Sequence, residues 1–113
     1  MVQFKGSGLD DTFAAVSDPT RRGILERLGR GDQSISQLAT SFDMTLTGMK
    51  KHVGVLEKSR LVTTRKLGRV RTCRIGPRRL AEEAAWIERY QHMMEARFNR
   101  MEELLARTPE EIP

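Results

Sequence analysis

Residues 34–75 read SISQLATSFDMTLTGMKKHVGVLEKSRLVTTRKLGRVRTCRI, and this stretch decides the fold. Apolar residues recur at helical spacing in its first half, and its second half has strand-like runs of Val, Thr and Ile. Ser34 and Gln37 have the spacing of a capping box, which predicts a helix over 35–42. Its inward positions are Ile35, Leu38, Ala39 and Phe42.

A second helix follows after a tight turn at Asp43 and Met44. Thr45 can cap this helix, which is predicted to run to Lys58. Its inward stripe has i, i+4, i+7 spacing and consists of Met49, Val53 and Leu56. Two short helices joined by such a turn predict a helix-turn-helix unit.

Two strand-like runs come next, VTTRKL over 62–67 and VRTCRI over 70–75. The Gly68-Arg69 pair between them suits a two-residue type II′ turn, so we predict a β-hairpin that forms a wing. Because like charges directly across a strand pair are destabilising, an external anion is expected to neutralise the wing. The expected cross-strand pairs are Lys66 with Arg71 on one face and Arg65 with Thr72 on the other.

Two helices are predicted before this stretch. The first covers 9–16, with an apolar stripe formed by Leu9, Phe13, Ala14 and Val16. Asp18 and Pro19 are N-cap and first-turn signals for the second, which runs to Leu28. Its inward residues are Ile24, Leu25 and Leu28.

A long helix is predicted after the wing, from Leu80 to Ala106. Its stripe at alternating steps of four and three is Leu80, Ala84, Ile87, Gln91, Met94, Phe98, Met101 and Leu105, widened by Trp86, Tyr90, Met93 and Leu104. Such a helix is about 40 Å long, which is too long for one small domain to cover. We therefore expect a second copy to cover it. The expected dimer interface comprises Leu9, Phe13, Ile87, Tyr90, Met94, Phe98, Met101 and Leu105.

The expected fold class is mainly α with a small β-hairpin, a winged helix-turn-helix that dimerises through its first and last helices. The 113 residues suffice for one domain with a modest core. We expect a flexible N-terminus over 1–8, a DNA-binding domain over 9–79, a dimerisation helix over 80–106 and a flexible tail over 107–113.

Basic charge is concentrated in the middle of the chain. The formal net charge is +5, yet residues 44–79 hold eleven basic side chains and one acidic. Such a field repels itself unless a polyanion or solvent neutralises it. A solvated face and a nucleic-acid surface are the two interpretations, and helix and wing together favour duplex DNA.

In a helix-turn-helix the N-terminal residues of the second helix contact base edges, while a basic wing suits phosphates or a minor groove. His52 lies at the edge of the inward stripe, where a phosphate or a nearby carboxylate is the alternative to a base. The candidate DNA-binding residues are Thr45, Thr47, Lys50, Lys51, His52, Arg65, Lys66, Arg69 and Arg71.

Sequence motifs for catalysis or metal binding are absent. Cys73 is the only cysteine, and the two histidines are far apart in sequence, so no nucleophile–base pair can be assigned. Glu88, His92 and Glu95 share one side of the long helix. They could meet their copies across a dimer and bind a metal, but solvated salt bridges are the simpler interpretation. We therefore expect no enzyme, no metal and no cofactor.

The cellular location is predicted from what the sequence lacks. No apolar run reaches the 18 residues of a membrane span, and the start MVQFKGSGLDD has no apolar region of a secretory signal. A lone cysteine favours a reducing compartment. We expect a cytoplasmic protein that does not contact a membrane.

The segment FAAVSDPTRRGILERLGRGDQSISQLATSFDMTLTGMKKHVGVLEKSRLVTTRKLGRVRTCRI resembles the ArsR family of bacterial winged-helix repressors. The DPTRRGILERL stretch, the MKKHVGVLEKSRLV helix and the GR turn carry the resemblance. The last helix looks like that of the metal-independent autorepressor branch. The resemblance implies a homodimer that represses transcription at an operator with two-fold symmetry.

The chain departs from the metal sensors of that family in two places. LATSF, over 38–42, supplies no thiolate where the founding members place a cysteine pair, and His92 alone does not reproduce the paired Asp and His ligands of zinc-sensing relatives. No inducer can be read from the sequence. The alternatives are a winged-helix protein that binds nucleic acid without sequence preference and a protein-interaction adaptor.

Overall fold

A computed structural model describes residues 8–107 of the chain. The described residues form two compact units, one that ends at Arg79 and one that begins at Leu80. Gly8 lies in the first helix, whereas the other residues of the predicted flexible N-terminus, 1–7, and residues 108–113 of the predicted tail lie outside the described residues. The elements are α1 Gly8–Val16, α2 Pro19–Leu28, β1 Gln33–Ser34, α3 Ile35–Ser41, α4 Leu46–Lys58, β2 Val62–Leu67, β3 Val70–Ile75 and α5 Ala81–Ala106.

Three helices of the first unit begin where the sequence predicts, and α1 begins one residue earlier than predicted, at Gly8. An Asp18 carboxylate oxygen accepts from the Arg21 backbone N–H at 2.9 Å, and Pro19 opens α2. That hydrogen bond is the main reason why the pKa of Asp18 lies below its ordinary value, with attraction to the Arg21 and His52 side chains adding to it. Ser34 and Gln37 form both hydrogen bonds of the capping box at the start of α3.

A left-handed residue joins α3 to α4. Asp43 has a φ of +52°, a conformation that Asp tolerates better than most residues. Thr45 then caps α4, because its side-chain oxygen accepts from the Gly48 N–H at 3.0 Å. This turn closes the helix-turn-helix.

The core lies where α2, α3, α4 and the base of the sheet meet. The predicted inward residues of α3 and α4 are buried, apart from Phe42, which is half-buried. The prediction for α1 was wrong in part, because Thr12 and Ala15 are its buried residues and Ala14 is exposed. Thr12 can face the core because its hydroxyl donates to the Gly8 carbonyl at 2.8 Å.

The sheet has three antiparallel strands in the order β1-β3-β2, rather than the two of a simple hairpin. β1 pairs Gln33 with Cys73 and Ser34 with Thr72. Two residues are too few to show alternation, so the sequence gives no sign of this strand. Gly68 has a φ of +62° and Arg69 a negative φ, as the predicted type II′ turn requires.

The second unit contains α5, whose 26 residues extend about 39 Å. Trp86 and Tyr90 stack with ring centroids 5.7 Å apart. Its exposed large apolar side chains are Trp86, Ile87, Tyr90, Met93, Phe98, Met101, Leu104 and Leu105. No helix among residues 8–107 is long and apolar enough to cross a membrane.

Candidate nucleic-acid interface

The two faces of the wing carry different side chains. Register pairs Lys66 with Arg71 and Arg65 with Thr72, as the sequence predicts. Because side chains alternate along a strand, Lys66 and Arg71 lie on the face that continues from buried Cys73. We call this the inner face of the wing. Arg65 lies on the opposite, outer face.

A groove of about 330 Å³ lies between the start of α4 and the inner face of the wing. Four cationic side chains line it, and no carboxylate is present among the described lining residues. A concave surface with one sign of charge concentrates counter-ions and attracts a polyanion. The lining residues are Ser34, Ile35, Ser36, Leu46, Lys50, Lys66, Arg69, Val70 and Arg71.

The structure therefore brings together four of the nine residues predicted to bind DNA: Lys50, Lys66, Arg69 and Arg71. Thr47 and Lys51 are exposed on α4 but do not line the groove. Thr45 is exposed too, and its hydroxyl oxygen already accepts the capping hydrogen bond.

Leu46 is a groove residue that sequence reasoning missed. It is the first residue of α4, it is 45% exposed, and it lines the groove together with Lys50 one turn later. The sequence predicted DNA contacts only from polar residues of α4. An exposed apolar residue at the start of this helix was the signal that could have identified it, because thymine presents a methyl group in the major groove.

His52 faces the start of α2 rather than the groove. Its Nδ1 atom lies 3.3 Å from Arg21 Nη1 and 3.9 Å from an Asp18 carboxylate oxygen, and its side chain is 22% exposed. Because a guanidinium can only donate hydrogen bonds, the Arg21 contact is a hydrogen bond in the tautomer that carries its ring proton on Nε2. A carboxylate neighbour was one of the alternatives that the sequence left open.

Two arginines of α2 fix the end of α1. Arg21 donates from Nε to the Ala15 carbonyl at 2.7 Å and from Nη2 to the Ala14 carbonyl at 3.1 Å. Arg22 donates to the Val16 carbonyl at 2.7 Å. The last carbonyls of a helix have no partner within it, so these contacts join α1 to α2. Through its contact with His52, Arg21 also links both helices to α4.

Residues predicted at the dimer interface fall on α1 and on α5. Leu9 and Phe13 are half-buried on α1. On α5, Met94 is half-buried, and the exposed members of the set are Ile87, Tyr90, Phe98, Met101 and Leu105.

Groups that bind metal are dispersed in the part of the chain that the structure describes. No three His, Cys, Asp or Glu side chains cluster among residues 8–107. Burial, together with the negative charge of Glu57, raises the pKa of the Cys73 thiol to about 11. His92 and Glu88 lie 3.7 Å apart on the exposed side of α5.

Known proteins with similar sequences regulate transcription. Residues 16–65 match the family model of a helix-turn-helix domain. The chain is 32% identical to the HTH-type transcriptional regulator Rv2034 of Mycobacterium tuberculosis, over 72% of this chain and 76% of that protein. It is 30% identical to the transcriptional repressor SdpR of Bacillus subtilis, over 53% of this chain and 67% of that protein.

Solved structures narrow the assignment. A crystal structure of an ArsR family transcriptional regulator is 42% identical, with a TM-score of 0.71, over 84% of this chain and 97% of that one. An NMR structure of a homodimeric winged helix-turn-helix DNA-binding domain from Mycobacterium bovis shares the fold, at 22% identity and a TM-score of 0.58, over 82% of this chain and 83% of that one. This protein is a winged helix-turn-helix regulator of transcription that binds DNA. The chain belongs to the ArsR family, which confirms the predicted winged helix-turn-helix fold and the resemblance to that family. Dimerisation through the first and last helices stays a prediction.

Proposed function

We propose that this regulator is a homodimeric repressor that binds an inverted-repeat operator with α4 and the wing. The observation that carries the proposal is the groove in which Lys50 of α4 and three wing cations converge. Contacts to the phosphates of the DNA backbone supply affinity, and contacts to base edges from the start of α4 supply sequence preference. SdpR, a relative that is 30% identical to this chain, is a transcriptional repressor.

We assign recognition of the bases to α4 and binding of the DNA backbone to the wing. Leu46, Thr47 and Lys50, with Lys51 beside them, face base edges at the N-terminal end of α4. Arg65, Lys66, Arg69 and Arg71 contact phosphates or a minor groove. Thr45 contributes a hydroxyl hydrogen to a phosphate, and His52 contributes its Nε2 proton. Each cationic contact to a phosphate releases counter-ions and makes binding depend on salt.

The dimer is proposed from α5, whose row of large apolar side chains is exposed in the single chain. The Mycobacterium bovis domain of the same fold is described as homodimeric. In a dimer, α4 would be the recognition helix of each copy. Two such helices related by a two-fold axis would contact half-sites about 34–36 Å apart, one turn of duplex, which explains an inverted repeat.

Location and activity follow from this role. A repressor of chromosomal operators works in the cytoplasm, needs no membrane contact and carries out no chemical reaction. No cofactor or metal is part of the proposal.

Selection of random duplex DNA by the purified full chain tests the function. An enriched inverted repeat is the expected result, whereas binding without a motif would favour the nonspecific nucleic-acid protein and no binding would favour the adaptor. Lys50→Ala should weaken selection of the motif. Arg30→Ala is the matched control, because Arg30 is an exposed cation outside the groove and should leave the motif unchanged.

A further inference from the structure

Three side chains connect α4 to both strands of the wing. The Thr64 hydroxyl on β2 donates to a carboxylate oxygen of Glu57 on α4. Arg71 on β3 donates from Nη1 to the same Thr64 oxygen at 2.9 Å. We call this arrangement the Glu57–Thr64–Arg71 relay.

The relay has a fixed direction. A guanidinium can only donate and a carboxylate can only accept, so the Thr64 hydroxyl must accept from Arg71 and donate to Glu57. Both capacities of the hydroxyl are used, and hydrogen bonds to charged groups are about twice as strong as neutral ones. The guanidinium is therefore oriented at one of its nitrogens, while its other N–H groups are free of this contact.

Charge adds a reason for the relay at this place. Glu57 is the one acidic residue between 44 and 79, and the relay connects it to Arg71, which lies directly opposite Lys66. A carboxylate nearby offsets the repulsion of this like-charged pair before any DNA is bound. The sequence alone led us to expect only an external anion in that role.

Arg71 also lines the groove, which makes its orientation relevant to DNA. We propose that Glu57 and Thr64 are positioning residues that orient Arg71 toward a DNA phosphate and fix the wing relative to α4. This inference rests on the proposed function for its DNA readout. The fixed wing lets Arg71 and Lys50 meet one duplex in one register, so the relay increases preference for the operator over random DNA.

Thr64 variants separate this role from a simple surface contact. Thr64→Val removes the hydroxyl and keeps the strand-forming shape, whereas Thr64→Ser keeps the hydroxyl. We expect Thr64→Val to lower operator affinity relative to random duplex about fivefold, which corresponds to the upper range for an exposed charged pair. Thr64→Ser should stay within about twofold of the wild type, a difference well below one tenfold step. Equal losses in both variants would overturn the proposal, as would a loss of stability with no change in the ratio.

A double-mutant cycle tests whether Thr64 acts through Arg71. Because the two side chains are in contact, their effects on operator affinity should not add, and Thr64→Val should cost little once Arg71 is alanine. Strict additivity would mean that Thr64 acts by another route. Glu57→Gln should also lower the affinity for the operator relative to random duplex. Glu26→Gln is the control, because it removes the same charge from an exposed position on α2.

A measurement on the free protein keeps the inference testable apart from the proposed function. Backbone order parameters of residues 66–71 should fall toward about 0.6 in Thr64→Val and stay near about 0.85 in Thr64→Ser. Unchanged order in Thr64→Val would contradict a fixed wing even if the protein selects an operator. If the order parameters fall in Thr64→Val but the selection enriches no operator, the proposed function is contradicted and the role of the relay in fixing the wing is not.

Discussion

At the scale of single residues, Asp18 links pH to stability. Hydrogen bonding to the Arg21 N–H lowers the pKa of Asp18 in the folded protein below the ordinary 3.8. The folded state therefore binds the proton less readily, and the stabilisation is present above 3.8 and is lost as pH falls through the lower folded value. Asp18→Asn keeps a cap that cannot titrate. Urea unfolding should show a smaller loss of stability on acidification in Asp18→Asn than in the wild type, and equal losses would contradict this assignment.

Gly54 is a second residue whose substitution has a defined outcome. A Cβ at Gly54 would meet nothing within 4 Å, whereas one at Gly48 would lie 3.1 Å from Thr45 Oγ1. Alanine is better than glycine inside a helix by about 1 kcal/mol. Gly54→Ala should therefore raise the free energy of unfolding by about that amount, and Gly48→Ala should raise it less because it crowds the cap. Urea denaturation measures both, and a larger gain for Gly48→Ala would be the contrary result.

Leu46 provides a test of base reading with a single methyl group. If its side chain contacts a thymine methyl, replacing that thymine by uracil removes about one buried methyl, worth about 0.8 kcal/mol. Wild-type affinity should fall about fourfold at one thymine of each half-site. The same replacement should have no effect on Leu46→Ala. A uracil effect of equal size in that variant would assign the methyl contact to another residue.

At the scale of elements, local hydrogen-bonding signals made the helices predictable. Asp18, Ser34 and Thr45 each cap a helix with their own side chain, so three starts could be read from neighbouring residues. β1 could not be read, because a two-residue strand exists only through its pairing with β3. The Glu57–Thr64–Arg71 relay was hidden for the same reason, since it depends on how the wing lies against α4. Four groove cations could be named from sequence, but their convergence required the tertiary structure.

The recognition helix and the wing should respond differently to loss of a cation. Arg69→Ala removes a phosphate contact, so affinity should fall similarly for operator and random DNA, and the log–log salt slope should shrink by about 0.9. Lys50→Ala removes a base contact and should cost about 1–3 kcal/mol on the operator and little on random DNA. Titrations of both duplexes at several salt concentrations separate the two patterns. If both variants weaken binding to the operator and to random duplex equally, α4 does not recognise the bases.

At the scale of the whole molecule, α5 is a surface that a second copy would cover. Its large apolar side chains include Phe98 and Met101, each about half exposed in the single chain. Exposed apolar area of this extent is unusual for a surface without a partner, and covering it against a copy of itself buries the same residues twice. A homodimer also supplies the two recognition helices that an inverted repeat needs.

Phe98→Glu tests this assembly, because a charge buried in an apolar interface without a partner is strongly unfavourable. Sedimentation equilibrium at micromolar concentration should give about twice the 12.9 kDa chain mass for the wild type and the chain mass itself for Phe98→Glu. Asn99→Glu adds the same charge on the polar side of α5 and should remain dimeric. Two linked domains bind the two half-sites jointly, which raises affinity for the full operator. The monomeric variant should therefore bind a single half-site much as the wild type does, but it should lose the higher affinity for the full operator. A wild-type chain that sediments as a monomer would remove the dimer from the proposal, and with it the reason to expect an inverted repeat.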